Sequence, residues 1–93
     1  MIIINQDKTV MLNYENIEAI GVAQKTKDKF KIIAATVTNN EIEIAEYKTE
    51  ERAKEVLQEI YCKYEHGIHL LSSKSLSVQN ILDYDFIYEM PKE

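Results

Sequence analysis

Ninety-three residues, 45% of them hydrophobic and 29% charged, suit one globular domain with a single small core. A formal charge of −5 works against non-specific DNA or RNA binding and against docking on anionic lipid, both of which need clustered cations. Cys62 is the only cysteine, which excludes an internal disulfide, and two glycines with one proline leave little material for a linker or a glycine-rich catalytic loop.

Ile2-Ile3-Ile4 is a β-branched run that reads as a short strand, ended by the turn signal Asn5-Gln6-Asp7-Lys8. The run has no basic flank and no long apolar extension, so it is not expected to be a signal peptide. No stretch approaches the length of a membrane span, and a soluble cytoplasmic protein is expected. Val10-Met11-Leu12 follows as a second strand, then Asn13 to Asn16 as a turn. Ile17 to Gln24 is a third apolar segment, in which Gly21 suggests a bulge or a close backbone approach. Lys25 to Lys29 reads as a charged connection.

Phe30 to Thr38 is apolar on both alternating faces after Lys31, as in the central strand of a sheet. Thr38-Asn39-Asn40-Glu41 predicts a hairpin, because asparagine tolerates the positive φ of a type I′ turn. Glu41-Ile42-Glu43-Ile44 alternates cleanly, and the slip at Ala45-Glu46-Tyr47 predicts a bulge or the strand's end.

Residues 49–67 read as one amphipathic helix. Thr49 is its cap, and Glu50 and Glu51 put negative charge at the positive end of the helix dipole. Ala53, Val56, Leu57, Ile60, Tyr61 and Tyr64 form its apolar stripe, which predicts near-complete burial of Leu57 and Ile60. Glu59 and Lys63 stand at pairing distance, and Gly67 is the expected left-handed stop. Beyond it lie a polar loop through Ser72-Ser73-Lys74-Ser75, a helical turn over 78–82 and a last strand over Asp85 to Met90, before Pro91. The fold class predicted is α+β: a curved antiparallel sheet of four to six strands packed by one helix near the C-terminus, within one domain over 1–93 (mainly β over 1–47, loop and tail strand over 68–93). This order of elements is similar to a pleckstrin-homology-like half barrel, an analogy that carries no function.

Chemistry-bearing residues are sparse. Cys62, Glu65, His66 and His69 are neighbours, but Gly67 divides them and their spacing is poor for zinc. Cys62 has neither the base nor the electropositive setting of a nucleophile and reads as a partly buried small apolar residue. Glu41 and Glu43 share a strand face that reads as solvated, with no apolar wall to raise a pKa. No metal, cofactor or catalytic residue is assigned, and the chain is not expected to be an enzyme.

Two groups remain as candidates. Lys25, Lys27, Lys29 and Lys31 concentrate positive charge on an acidic chain; Lys25, Lys27, Lys29 and Lys74 are the candidate anion-contacting residues. Six tyrosines and two phenylalanines are the other. Tyrosine joins an apolar body to a polar tip and is enriched at interfaces, so Tyr61, Tyr64, Tyr84, Phe86 and Tyr88 are the candidate interface.

The opening IIINQDKT, the segment EYKTEERAKEVLQEI and the ending YEMPKE resemble a group of small uncharacterised proteins of Firmicutes genomes and their phages. The shared positions are Tyr47, Thr49, Glu50, Glu51, Arg52, Ala53, Met90 and Pro91. The resemblance implies a mobile-element protein in the cytoplasm of a bacterial cell or infected host cell, and brings no catalytic residues with it. The function expected is non-catalytic binding, by a phage or prophage protein that acts on a host protein or defence system. The alternative is oligomeric sequestration of a phosphate-bearing, nucleotide-like molecule between tyrosine faces and lysines. A homodimer or larger assembly is expected, with the tail strand at or near the contact and free to exchange between copies.

Overall fold

The computed structural model describes residues 1–38, 40–73 and 87–93, the side chains of 67–73 excepted. Among these residues, six strands and one long helix give the α+β class the pattern implies. They run β1 (Ile2–Ile4), β2 (Met11–Asn13), a 3-10 turn (Tyr14–Asn16), β3 (Ile17–Thr26), β4 (Lys29–Thr36), β5 (Glu41–Tyr47), α1 (Glu50–Ser73) and β6 (Ile87–Glu89).

The strands divide into two three-stranded sheets, ordered β2-β1-β6 and β3-β4-β5. The second is antiparallel throughout, with β4 at its centre, the place its two apolar faces require. Ile32 and Ala34 of β4 point inward and are buried, while Ile33 and Ala35 lie on the outer face. A bulge in β5 falls at Ile44, since Ile32 pairs with Ala45 and Ile33 with Glu43. The extra residue lets Ile44 and Ala45 both turn into the core, which is why the alternation slips there. In the small sheet β1 pairs antiparallel with β2 and parallel with β6. A parallel pair requires a long connection, and here residues 5–86 separate the two strands.

Four local expectations need correction. Gly21 marks no bulge: it pairs in register with Ile33, has no positive φ, and the register of β3 shifts at its two ends. The Lys25–Lys29 segment is a tight hairpin with Lys27 and Asp28 as its turn, so Lys25 and Lys29 belong to strands. The β4–β5 hairpin has a four-residue connection, closed by Thr36 N–H donating to the Asn40 carbonyl, and β4 ends at Thr36; Asn39 lies outside the described residues. The helix passes through Gly67 to Ser73. A glycine in a helix interior costs only about 1 kcal/mol, which neighbouring turns can absorb.

Thr49 caps α1 as expected, its hydroxyl accepting the Arg52 N–H at 3.1 Å. The buried stripe is narrower than the pattern predicts. Ala53, Val56 and Ile60 are buried, with Tyr64 packed at the margin, whereas Leu57 is only half-buried and Tyr61 is exposed. A single helix against small sheets touches them along one line, so flanking apolar positions stay wet. The core is filled by Ile3, Ile32, Ala34, Ile44, Tyr47, Ala53, Val56, Ile60 and Met90, drawn from both sheets and the helix.

Candidate functional site

The turn after β1 ties the two sheets together, chiefly through Gln6. After β1 the chain turns at Asn5, whose buried carboxamide accepts the N–H groups of Thr9 and Val10 at 2.8 and 3.0 Å. That turn aims Gln6 at the bulged edge of β5. The Gln6 N–H donates to the Ile44 carbonyl at 2.9 Å. Its side-chain carbonyl accepts the Glu46 N–H at 2.9 Å, and its amide nitrogen donates to the Glu46 carbonyl at 3.1 Å. The carboxamide thus acts as a peptide unit pairing with a strand edge. The same nitrogen also reaches the carbonyls of Pro91 and Lys92 at 3.1 and 2.7 Å.

Two more side chains hold residues 90–93. The Tyr47 hydroxyl donates to the Pro91 carbonyl at 2.7 Å, and Arg52 donates through Nε and Nη2 to the Glu93 backbone oxygen at 3.0 and 2.9 Å. The Met90 side chain is buried, and its N–H donates to the Ile4 carbonyl. The Arg52 guanidinium lies 5.9 Å from the centre of the Tyr47 ring. Burial pushes the Tyr47 hydroxyl up to about 12, against the pull of the Arg52 charge. The segments IIINQDKT, EYKTEER and YEMPKE, far apart in sequence, therefore meet in one clamp.

Beside the clamp is a cleft of about 750 Å³ at the start of α1. Lys29, Lys48, Arg52 and Lys92 line it, together with Asp28, Glu46 and Glu93. Of the predicted anion-contacting lysines, only Lys29 lines this cleft. Lys25 instead crosses the outer sheet face to Glu46 at 3.0 Å and Glu43 at 3.4 Å. Its hydrogen bond to Glu46 raises the Lys25 pKa and lowers that of Glu46. Lys27 sits exposed in the hairpin turn, and Lys74 lies outside the described residues. Register and charge explain the outcome: β4 brings the basic end of β3 within reach of the acidic face of β5.

Two of the five predicted interface aromatics, Tyr64 and Tyr88, are engaged in the chain's own packing. Tyr64 stacks on Tyr14 with ring centres 4.5 Å apart, and burial raises the pKa of Tyr14, with Tyr64 and Tyr61 adding to the shift. Tyr88, on β6, packs against the core, and its hydroxyl donates to Glu59 at 2.9 Å. Burial is the first cause of its raised pKa, and that hydrogen bond the second. Of the three that are described, Tyr61 stays open, at 54% exposure. Tyr84 and Phe86 lie outside the described residues. The tail strand β6 pairs parallel with β1.

Cys62 is exposed, contrary to its reading as partly buried, and its Sγ lies 3.5 Å from the Gln58 amide nitrogen. It stands two residues beyond buried Ile60, about 200° around the helix, and so faces water. His66 is likewise exposed, and the His69 side chain is outside the described set. Among the described residues no group of three or more acidic, histidine or cysteine side chains could hold a metal. No described helix is long and apolar enough to cross a membrane.

The surface that sequence reasoning missed is the outer face of the small sheet. Ile4 stands opposite Met11 and Ile2 opposite Ile87, so these four side chains adjoin. Met11 is 72% exposed and Ile87 45%, while Ile2 and Ile4 are half-buried. Val10, 38% exposed, precedes the patch, and Lys8 and Glu89 pair at its rim at 3.7 Å. The signal was present in the sequence: three consecutive isoleucines leave both faces of a strand apolar, yet only Ile3 enters the core.

No protein-family model matches the chain, and no curated protein or solved structure matches it either.

Proposed function

We propose that this chain is a non-catalytic binding protein that works by occupying a partner protein, and that the outer face of the small sheet makes the contact. The observation that carries the reading is the contiguous apolar surface of Ile2, Ile4, Met11 and Ile87. Its three most exposed side chains, with Val10 included, offer on the order of 300 Å², the scale at which an apolar patch on a small protein is often functional. Two copies docked on this face alone would bury about twice that, short of the roughly 1,200–2,000 Å² of a stable interface. A different protein that also covers the neighbouring turn at Asn5–Lys8 can reach that range. In the context implied by the resemblance, the partner is a host protein or a component of a defence system, met in a bacterial cytoplasm.

Native mass spectrometry tests this on protein purified gently from its host, beside a Met11→Lys/Ile87→Lys variant. The expected result is a stoichiometric protein partner on the parent chain and none on the variant, with both equally folded by circular dichroism. A partner retained by the variant overturns the reading.

A second reading has one observation in its favour, the cleft at the start of α1. Lys48 and Lys92 are exposed there, and Lys29 and Arg52 add charge, so a phosphate-bearing, nucleotide-like molecule would be held electrostatically. Tyr47 is 3% exposed and offers no ring face for stacking. Asp28, Glu46 and Glu93 offset much of the positive charge, which is why protein binding is preferred. A small molecule retained in the same spectrum, with no protein, would reverse the order.

A further inference from the structure

We infer that the free edge of β3 is a self-association surface, on which two copies pair antiparallel to make one six-stranded sheet. This surface lies in the other sheet from the apolar face, so the two readings stand or fall separately.

An exposed strand edge carries unpaired N–H and C=O groups and is a template for another strand. The two edges of the larger sheet are treated differently. The β5 edge is occupied by Gln6, whose backbone and carboxamide take the Ile44 and Glu46 groups. The β3 edge, on the longest strand of the fold, has no backbone partner among the described residues besides β4. Proteins usually blunt such an edge with charge, proline or a bulge. Here the register shifts lie at the two ends, and the stretch Ala19-Ile20-Gly21-Val22-Ala23 between them has no such device.

The sequence of β3 also suits pairing with itself. Opposite residues in an antiparallel pair must point to the same face of the sheet. A two-fold axis at Gly21 meets that condition, placing Ala19 opposite Ala23 and Ile20 opposite Val22. The outer-face pairs are small, and a Cβ built on Gly21 meets nothing within 4 Å, so nothing among the described residues covers that point. The inner-face pairs are branched and apolar, a favourable cross-strand combination. Charge selects the direction. The start of β3 is acidic, with Glu18 preceded by Glu15, and its end is basic, with Lys25 followed by exposed Lys27. Antiparallel pairing brings opposite signs together at both ends, whereas parallel pairing would stack like on like.

The register can be tested by charge placement at Ala19 and Ala23, which lie on the outer sheet face and outside the core. Light scattering and sedimentation on the full chain should show a dimer at tens of micromolar. Ala19→Lys/Ala23→Lys places like charges opposite each other twice and should weaken association about tenfold or more. Ala19→Glu/Ala23→Lys places opposite charges there instead and should dimerise at least as well as the parent. Circular dichroism and melting should be alike in all three. A monomeric parent chain overturns the inference. Equal association of both variants overturns it too, because the contact would then lie elsewhere.

Discussion

Replacing Gln6 should separate the clamp from the rest of the fold's stability. Its carboxamide accepts one hydrogen bond and divides two N–H groups among the carbonyls of Glu46, Pro91 and Lys92, all within 3.1 Å. At a net value near 1 kcal/mol for each of about three effective bonds, Gln6→Ala should cost about 2–4 kcal/mol. A chain of this size has a total stability on the order of 5–14 kcal/mol, so the loss is readily measured. Gln6→Glu keeps the shape but replaces the donor with an acceptor facing three carbonyl oxygens. At neutral pH it should destabilise at least as much as alanine. Those oxygens raise the folded-state pKa of the new carboxyl above its unfolded value of about 4.3. The stability of Gln6→Glu is therefore fully present below that unfolded value and is lost as pH rises through the raised folded value. Urea denaturation followed by far-ultraviolet circular dichroism, suited to a chain without tryptophan, measures both variants against the parent at each pH. A Gln6→Ala loss below ~0.5 kcal/mol, or a Gln6→Glu deficit that does not shrink on acidification, would refute the clamp argument.

Ile60→Ala should cost about 2–5 kcal/mol by opening a cavity in the core, and half-buried Leu57→Ala clearly less; equal losses would mean that α1 sits on the sheets in another rotation. Tyr47 and Tyr88 have raised pKa values, Tyr47 to about 12, so their stabilisation is intact below about pH 10 and is lost as pH rises through the folded values. Tyrosinate absorbance should therefore show a late cooperative step that coincides with unfolding; a simple titration of all six tyrosines near pH 10 would contradict it. Chelator treatment should leave the melting temperature unchanged, and a drop of several degrees restored by zinc would place a metal in the fold.

Signals that act within a few residues were legible without coordinates. Thr49 caps a helix because its hydroxyl and the Arg52 N–H are three residues apart. The central position of β4 follows from its two apolar faces, and the β5 bulge from a slip in a period of two. The end of α1 was not legible, because Gly67 carries only a weak local penalty that the fold outweighs. Nor was the burial of Leu57, since a stripe says which side of a helix is apolar and not how wide its contact will be.

The clamp and the pairings around it belong wholly to that second kind. Gln6 looks like any turn residue, and its partners lie 40, 85 and 86 positions away. Lys25 looks like part of a free basic cluster until β4, lying between β3 and β5, holds Glu43 and Glu46 within its reach. Tyr88 looks like an interface residue until β6 lies parallel to β1 and turns it towards Glu59. Composition and periodicity alone determined the α+β class, the element order and most of the buried face, because hydrophobic patterning is written along the chain. Which edges close, which charges pair and which apolar face stays in water were decided only by packing, because each depends on contacts between segments whose order in sequence says nothing of their separation in space.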